Sequence, residues 1–270
     1  MNKTEYCDNY VILVVNDGSN DKTAEIAKEA GAVVYSHLKN FGLADTFRTE
    51  MRLCLNLGAE IIVHTDADGQ YLPSEIPFLI SEVENGYDLI LGSRFLGEIE
   101  HMPRFKRFGN KAFSYVLSKL TKMTITDGQT GFRAFTREVA EKIPIVSKYT
   151  YTQEQIIRCV KEKYRVNEKP IYFAKRKDGN SRLMRGPLNY AFKAWRTIIR
   201  VYRGYYPMKF FGLIGGFMMF CSLPFGAYWL YKELTTGIQD YLWLIVIIAL
   251  FIIIGIQTTL LGLVADTNKT

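Results

Sequence analysis

Two stretches of the sequence place carboxylates where a chain could do chemistry. The apolar run Ile61 to Thr65 leads directly into Asp66-Ala67-Asp68-Gly69-Gln70. In extended chain the side chains at 66, 68 and 70 point to one side, so two carboxylates and an amide oxygen converge on one point. Hard oxygen ligands of this kind suit Mg²⁺ or Mn²⁺, which takes one or two carboxylates and completes its shell with substrate phosphates. A calcium loop of EF-hand type begins in a similar way. Here, however, the glycine comes two positions early and Pro77 stands where the closing glutamate would be. Taken alone, a polar turn after a strand explains Asp66 and Asp68 as well as a metal does. The second stretch is Asn16-Asp17-Gly18-Ser19-Asn20-Asp21, after the apolar run Tyr10 to Val15. Asp17 could accept hydrogen bonds from a nucleobase or ribose, Gly18 permits a tight turn, and Asn20 or Asp21 would cap a following helix. An ordinary strand-turn-helix junction is the open alternative.

The elements that must position these groups alternate between strand and helix patterns. Strands are expected at Tyr10–Val15, Ala32–Tyr35, Ile61–Thr65 and Leu89–Leu91, with helices at Lys22–Ala30, Leu43–Leu57 and Ser74–Asn85. Such alternation predicts an α/β domain with a mixed, mainly parallel sheet. In open sheets of that kind ligands bind beyond the carboxyl ends of the strands, where both acidic stretches lie.

Composition narrows the class. With 48% hydrophobic and 23% charged residues the chain is not disordered. Its four cysteines, Cys7, Cys54, Cys159 and Cys221, form no C-x-x-C pair, which argues against a disulfide framework or a zinc ribbon. Phe210 to Tyr231 and Tyr241 to Ala265 contain no charged side chain, and each is long enough to cross a bilayer as a helix. Gly212, Gly215, Gly216, Pro224 and Gly226 in the first run suit a membrane helix better than a soluble one. Residues 175 to 209 hold ten Lys or Arg against Asp178 alone, a local charge of +9 in a chain of net charge +7. Phe192, Trp195, Ile198, Ile199 and Tyr202 recur there at helical spacing, as in a helix lying on an anionic leaflet. The positive-inside rule then puts the N-terminal region and both termini in the cytosol, making an integral, multi-pass membrane protein. Nucleic acid is not expected as a partner, because lipid already serves these charges. Copies of the chain would associate through the spans. A transporter or channel would need polar groups in the spans, and Gln257-Thr258-Thr259 is the one such cluster.

The motifs together resemble one family. Asn16-Asp17-Gly18-Ser19, Asn40-Phe41-Gly42, Asp66-Ala67-Asp68-Gly69-Gln70, Gly92-Ser93-Arg94-Phe95, the segment Asp127 to Phe135 and Arg176-x-x-Gly179-x-Ser181-Arg182 are similar to those of family 2 glycosyltransferases of the GT-A fold. The likeness is to the dolichyl-phosphate mannose synthase type and its bacterial polyprenyl-phosphate glucosyltransferase relatives, over residues 10 to 182. It implies a GT-A catalytic domain at 1–175, a basic juxtamembrane segment at 176–207 and two membrane helices within 208–265. It further implies inverting transfer of a sugar from a nucleotide-sugar, of GDP-mannose or UDP-glucose type, to a polyprenyl or dolichyl phosphate. By this resemblance Asp17, Asp66 and Asp68 bind the nucleotide-sugar, Asp66, Asp68 and Gln70 the metal, and Arg94, Arg107, Arg176, Ser181 and Arg182 the lipid phosphate. Asp68, Arg94 and Asp127 are then the catalytic set, with Asp127 favoured for sugar-hydroxyl recognition over a metal-site or proton-accepting role. Glu154 is either an acid near the site or a helix-start carboxylate, and His37, His64 and His101 are expected to be structural or solvated. Relatives carry a strand and a Pro-Ala-x-Asn-Glu-like turn before the Asn-Asp-Gly-Ser unit. None is visible ahead of Tyr10, from which weak donor binding and a marginally stable domain are expected. A catalytically impaired, membrane-anchored nucleotide-binding subunit of the same fold is the alternative function.

Overall fold

The computed structural model describes residues 10–146, 151–176, 196, 199–200, 202–237 and 241–267. Ser181, Arg182 and most of the expected interfacial segment lie outside the described residues. The chain divides into two compact units, Met1–Pro187 and Leu188–Thr270.

In the first unit the apolar runs become strands β1 (Leu13–Asn16), β2 (Val33–Ser36), β3 (Ile61–His64) and β4 (Leu89–Ser93). Helices α1 (Thr23–Glu29), α2 (Leu43–Asn56) and α3 (Ile76–Glu84) alternate with them. A 3₁₀ turn, Pro73–Glu75, leads into α3, with proline at the first position where its missing N–H costs nothing. Beyond β4 come α4 (Arg104–Thr121), β5 (Arg133–Thr136), α5 (Arg137–Lys142), α6 (Thr152–Lys161) and β6 (Val166–Pro170).

Strands β1 and β2 pair in parallel, Leu13 opposite Val33 and Asn16 opposite Ser36. The other edge of β1 has no ladder partner among the described residues, and Tyr10 and Val11 beside it are exposed. The remaining strands form a sheet in the order β3-β5-β4-β6. It is mixed, but less parallel than the alternation of elements suggests. β5 runs antiparallel between β3 and β4, and the parallel pairings are β1–β2 and β4–β6. The reversal has a consequence for function. Arg133, the first residue of β5, lies opposite His64 at the end of β3 and Leu91 near the end of β4. The segment before β5 is thereby brought to the edge where β3 and β4 finish, and β6, parallel to β4, ends there too.

One face of this sheet packs Ile90, Ala134 and Phe132 against Leu79 and Val83 of α3, with Tyr71, Ile171 and Phe173 closing the cluster. Leu89 and Leu91 point the opposite way along β4 and are fully buried as well, so β4 is covered on both faces.

In the second unit α7 (Pro207–Thr236) and α8 (Leu242–Thr267) are long and apolar enough to cross a membrane, with mean hydropathy 1.7 and 2.8 over an apolar stretch of 18 residues in each. At Gly215 and Gly255 their backbones approach closely. A Cβ on Gly215 would fall 2.4 Å from the Gly255 carbonyl oxygen, and one on Gly255 2.7 Å from the Gly215 oxygen. Small residues permit this approach, which between lipid-soluble helices replaces the hydrophobic drive. Gly215→Val should therefore force the pair apart at a cost of roughly 1–3 kcal/mol. The check is a lowered melting temperature of the detergent-solubilised chain.

A candidate active site at the strand ends

The loop after β3 is tied down at both ends. Gln70 donates its side-chain amide to the Ala174 carbonyl at 3.2 Å, and the Ala174 N–H returns a bond to the Gln70 carbonyl at 2.9 Å. Tyr71 stacks on Phe132 with ring centroids 5.2 Å apart, and its hydroxyl accepts from the Gly131 N–H at 3.2 Å. Between these anchors Asp68 accepts from the Gln70 N–H at 3.1 Å and pairs with the Arg176 guanidinium. Asp66 reaches solvent but is closely surrounded by protein on its other sides. That burial raises its pKa, the Asp68 charge adds to the rise, and His64, Arg133 and Arg94 oppose it. Two adjacent carboxylates that resist sharing negative charge fit a divalent cation. Among the described residues no third His, Cys, Asp or Glu completes a protein cage, a donor set suited to an ion that keeps substrate phosphates in its shell.

Arg94 and Asp127 occupy the neighbouring strand end, and their arrangement departs from expectation. Arg94, on the turn after β4, is 5% exposed and Asp127 is fully buried. The guanidinium grips both carboxylate oxygens, at 2.6 and 2.8 Å, and the Arg94 backbone N–H adds a bond at 3.1 Å. Phe173 covers the guanidinium, 5.1 Å from the ring centroid. Asp127 spends both carboxylate oxygens on Arg94, whereas Arg94 is held along one edge of its guanidinium, through Nε and Nη2. Glu168 on β6 fixes the pair from behind, accepting from the Thr126 and Asp127 N–H groups at 2.7 and 2.9 Å.

Lys106, in the first turn of α4, is a cation near this cluster with no ion-pair partner among the described residues. It is half-buried, and burial followed by the nearby Arg94 and Arg176 charges lowers its pKa, with Asp68 and Asp127 opposing. Arg107, the neighbour singled out by motif, is exposed. A single helical step of about 100° separates the two directions, and a motif comparison does not register it.

The family described as Glycosyl transferase family 2 matches residues 2–144. The chain belongs to that family. Its relatives include an uncharacterized protein of Methanocaldococcus jannaschii, 38% identical over 59% of this chain and 68% of the relative. A dolichyl-phosphate hexose transferase of Haloferax volcanii is 33% identical over 61% of this chain and 70% of its own length. Among solved structures, glucosyl-3-phosphoglycerate synthase from Mycobacterium tuberculosis in complex with Mn²⁺ and UDP-glucose superposes with a TM-score of 0.54 at 16% identity. That match covers 70% of this chain and 66% of the other. The fold is GT-A, and the protein is a glycosyltransferase.

Elsewhere in the glycosyltransferase the acidic residues marked by sequence have structural partners. Asp17 ties the end of β1 to the Asn40-Phe41-Gly42 turn, accepting from the Phe41 and Gly42 N–H groups at 2.9 Å each and lying 2.8 Å from the His37 ring nitrogen. Burial pushes its pKa up, but these contacts win and hold it below the ordinary carboxylate value. Gly18, at φ +70°, has no room for a side chain, since a Cβ would sit 2.5 Å from the Lys39 carbonyl carbon. Glu154 is the helix-start carboxylate, accepting from the Val146 N–H at 3.0 Å and Arg158 at 2.8 Å. His64 lies 2.6 Å from the Tyr151 hydroxyl and 2.8 Å from Glu50, and Tyr151 stacks on Phe47 with centroids 3.9 Å apart. His101 is exposed.

Glu168 and Lys106, which lie beside the site, escape motif reasoning, and Gly131 belongs to the motif segment Asp127 to Phe135 without the motif showing what it does. A Cβ on Gly131 would lie 2.6 Å from Asp66 Oδ2, so this glycine makes the space in which that carboxylate stands. Gly131→Ala should displace Asp66, which solvent leaves free to swing. We expect about a tenfold or greater loss of Mn²⁺ affinity with a nearly unchanged melting temperature, read by calorimetric titration and thermal melting.

Proposed function

We propose that this glycosyltransferase moves a sugar from a nucleotide-sugar to a polyprenyl phosphate of dolichyl type, with inversion, at the cytosolic face of a membrane. The observation that carries the proposal is the nearness of two unlike sets of groups. Asp66 and Asp68 lie side by side, Arg176 pairs with Asp68, and Lys106 is within electrostatic reach of both Asp68 and Arg176. The name of the Haloferax relative, a dolichyl-phosphate hexose transferase, supports the acceptor class. The Mn²⁺ and UDP-glucose held by the mycobacterial fold neighbour support the donor class.

Asp66 and Asp68, with Gln70 beside them, would hold Mg²⁺ or Mn²⁺. When bound, the ion would neutralise charge developing on the departing nucleoside diphosphate. A cation at Asp68 would also free the Arg176 guanidinium to take a phosphate oxygen. Lys106, Arg107, Ser181 and Arg182 would complete the acceptor site. A phosphate monoester is largely dianionic at pH 7, with a second pKa of about 6. Its oxygen attacks the anomeric carbon from the face opposite the leaving group. The bond from that carbon to the diphosphate oxygen breaks, its electron pair leaves with the diphosphate, and no general base is needed. Asp127 and Glu168 would position the strand ends, with Arg94 held among them along one guanidinium edge.

Incubating membranes that contain the full chain with labelled nucleotide-sugars and polyprenyl phosphates tests the proposal. One donor and acceptor pair should give labelled lipid, and excess chelator should abolish the product. Transfer to water or to a soluble acceptor alone, in every combination, would refute it.

A further inference from the structure

Helix α4 has a second face, away from the strand ends. No acidic residue occurs between Arg104 and Thr121. At helical spacing Arg104, Phe108, Lys111, Tyr115 and Lys119 fall on one stripe, which Lys122 extends at the helix end, so that cations and aromatic rings alternate along it. The stripe faces outward. Phe108 is 73% and Tyr115 63% exposed, whereas Phe113, Leu117 and Leu120 on the opposite side are buried in the domain. Two large rings exposed in a row are unusual on a surface that meets only water.

The cations are uncompensated. Among the described residues none of Arg104, Lys111, Lys119 and Lys122 makes an ion pair. Lys111 and Lys119 instead lie over the rings of Phe95 and Tyr115, at 5.5 and 5.4 Å. Toward the C-terminal end of the stripe a cavity of about 730 Å³ opens between Lys111, Lys119 and Lys122, with no carboxylate in its wall. Its size and charge suit a phosphate-bearing headgroup.

We propose that this outer stripe of α4 is a docking surface for the anionic headgroups of a lipid leaflet, with the lysine-lined cavity taking a headgroup phosphate. Charge complementarity supports a lipid occupant. So does the chemistry of the rings, because aromatic side chains favour the boundary between headgroups and acyl chains, where cationic stems can lie flat beside them. The same chain carries α7 and α8, long and apolar enough to cross a bilayer, so a leaflet is held at high effective concentration and weak individual contacts suffice. The surface is distinct from the cleft, since Lys106 projects from the other side of the helix.

The test uses the full chain in nanodiscs of phosphatidylcholine alone or of phosphatidylcholine mixed with phosphatidylglycerol. A water-soluble amine reagent is applied and the modified lysines are read by peptide mass spectrometry. Labelling of Lys111, Lys119 and Lys122 should be about fivefold lower in the anionic discs, the factor expected for one lysine at a charged leaflet, and high salt should restore it. Lys28, exposed on α1, is the control and should not change. A Phe108→Ser, Tyr115→Ser double variant should lose most of the protection. Equal labelling in the two kinds of disc would overturn the proposal. So would protection that an RNA oligonucleotide provides and phosphatidylglycerol does not, which would assign the stripe to nucleic acid.

Discussion

Asp127→Ala should destabilise the catalytic unit by about 3–5 kcal/mol, the range found when one partner of a buried ion pair is removed. The reason is the position of Arg94. Only 5% of it is exposed, and three of its N–H bonds end on Asp127. Without the carboxylate the guanidinium keeps its charge, because its pKa is too high for deprotonation to relieve it. Phe173 would remain against it, but with no carboxylate bonded to it. Glu168 would lose the backbone order it imposes at Thr126 and Asp127, since those N–H groups point to it through the same turn. A second variant separates charge from packing. Arg94→Met combined with Asp127→Leu replaces the pair by apolar groups of similar size, and should cost much less than the sum of the single changes. Urea melts of the four proteins give the coupling directly. Additive losses would mean that the pair is merely adjacent, and that the turn after β4 is held by other contacts.

The sequence makes the first half of the fold legible and leaves the second half obscure, for a physical reason. Strands β1 to β4 and helices α1 to α3 are apolar runs bounded by turn residues, so periodicity marks them within a few residues. β5 reads Arg-Ala-Phe-Thr and β6 reads Val-Asn-Glu-Lys-Pro, and neither shows a strand pattern. Arg133 is charged yet fully buried, bonded to the Thr130 and Thr152 carbonyls and the Gln155 amide oxygen. Glu168 looks like a surface strand residue and is bonded to Thr126, in a loop 42 residues earlier in the chain. Such partners come from the sheet order, which places β5 between strands that precede it. The candidate site follows the same division. Asp66 and Asp68 are neighbours just past the end of β3, brought together by a turn at Ala67-Asp68 with Gly69 at positive φ and not by the extended chain expected. Arg94 was legible as a residue of the site, but its engagement with Asp127 was not, because nothing local indicates which of several cations a buried acid will take. Lys106 was masked by its neighbour Arg107, which has the more familiar side chain for phosphate.

Asp68→Asn should lower transfer by at least about 100-fold while leaving the fold intact. Its side chain is 25% exposed and its partner Arg176 32%, so the ion pair between them stabilises by no more than about 1 kcal/mol. The amide keeps the size and the contact with the Gln70 N–H, and the melting temperature should move by only a few degrees. What the amide lacks is charge. Two roles of that charge predict the same loss of turnover and have to be told apart: Asp68 as a ligand to a divalent ion, and Asp68 as the group that steers Arg176. Mn²⁺ titration followed by electron paramagnetic resonance separates them. If the ion is the target, Asp68→Asn abolishes Mn²⁺ binding, whereas Arg176→Gln preserves it or strengthens it by removing a competing cation, and raises the apparent KM for polyprenyl phosphate. If steering is the role, Arg176→Gln reproduces the whole defect and Mn²⁺ binds both variants as it binds the parent. Full transfer by Asp68→Asn, or by the unaltered chain in excess chelator, would remove the metal from the proposal altogether. It would leave Lys106, Arg176 and the residues beyond it to neutralise the departing diphosphate on their own.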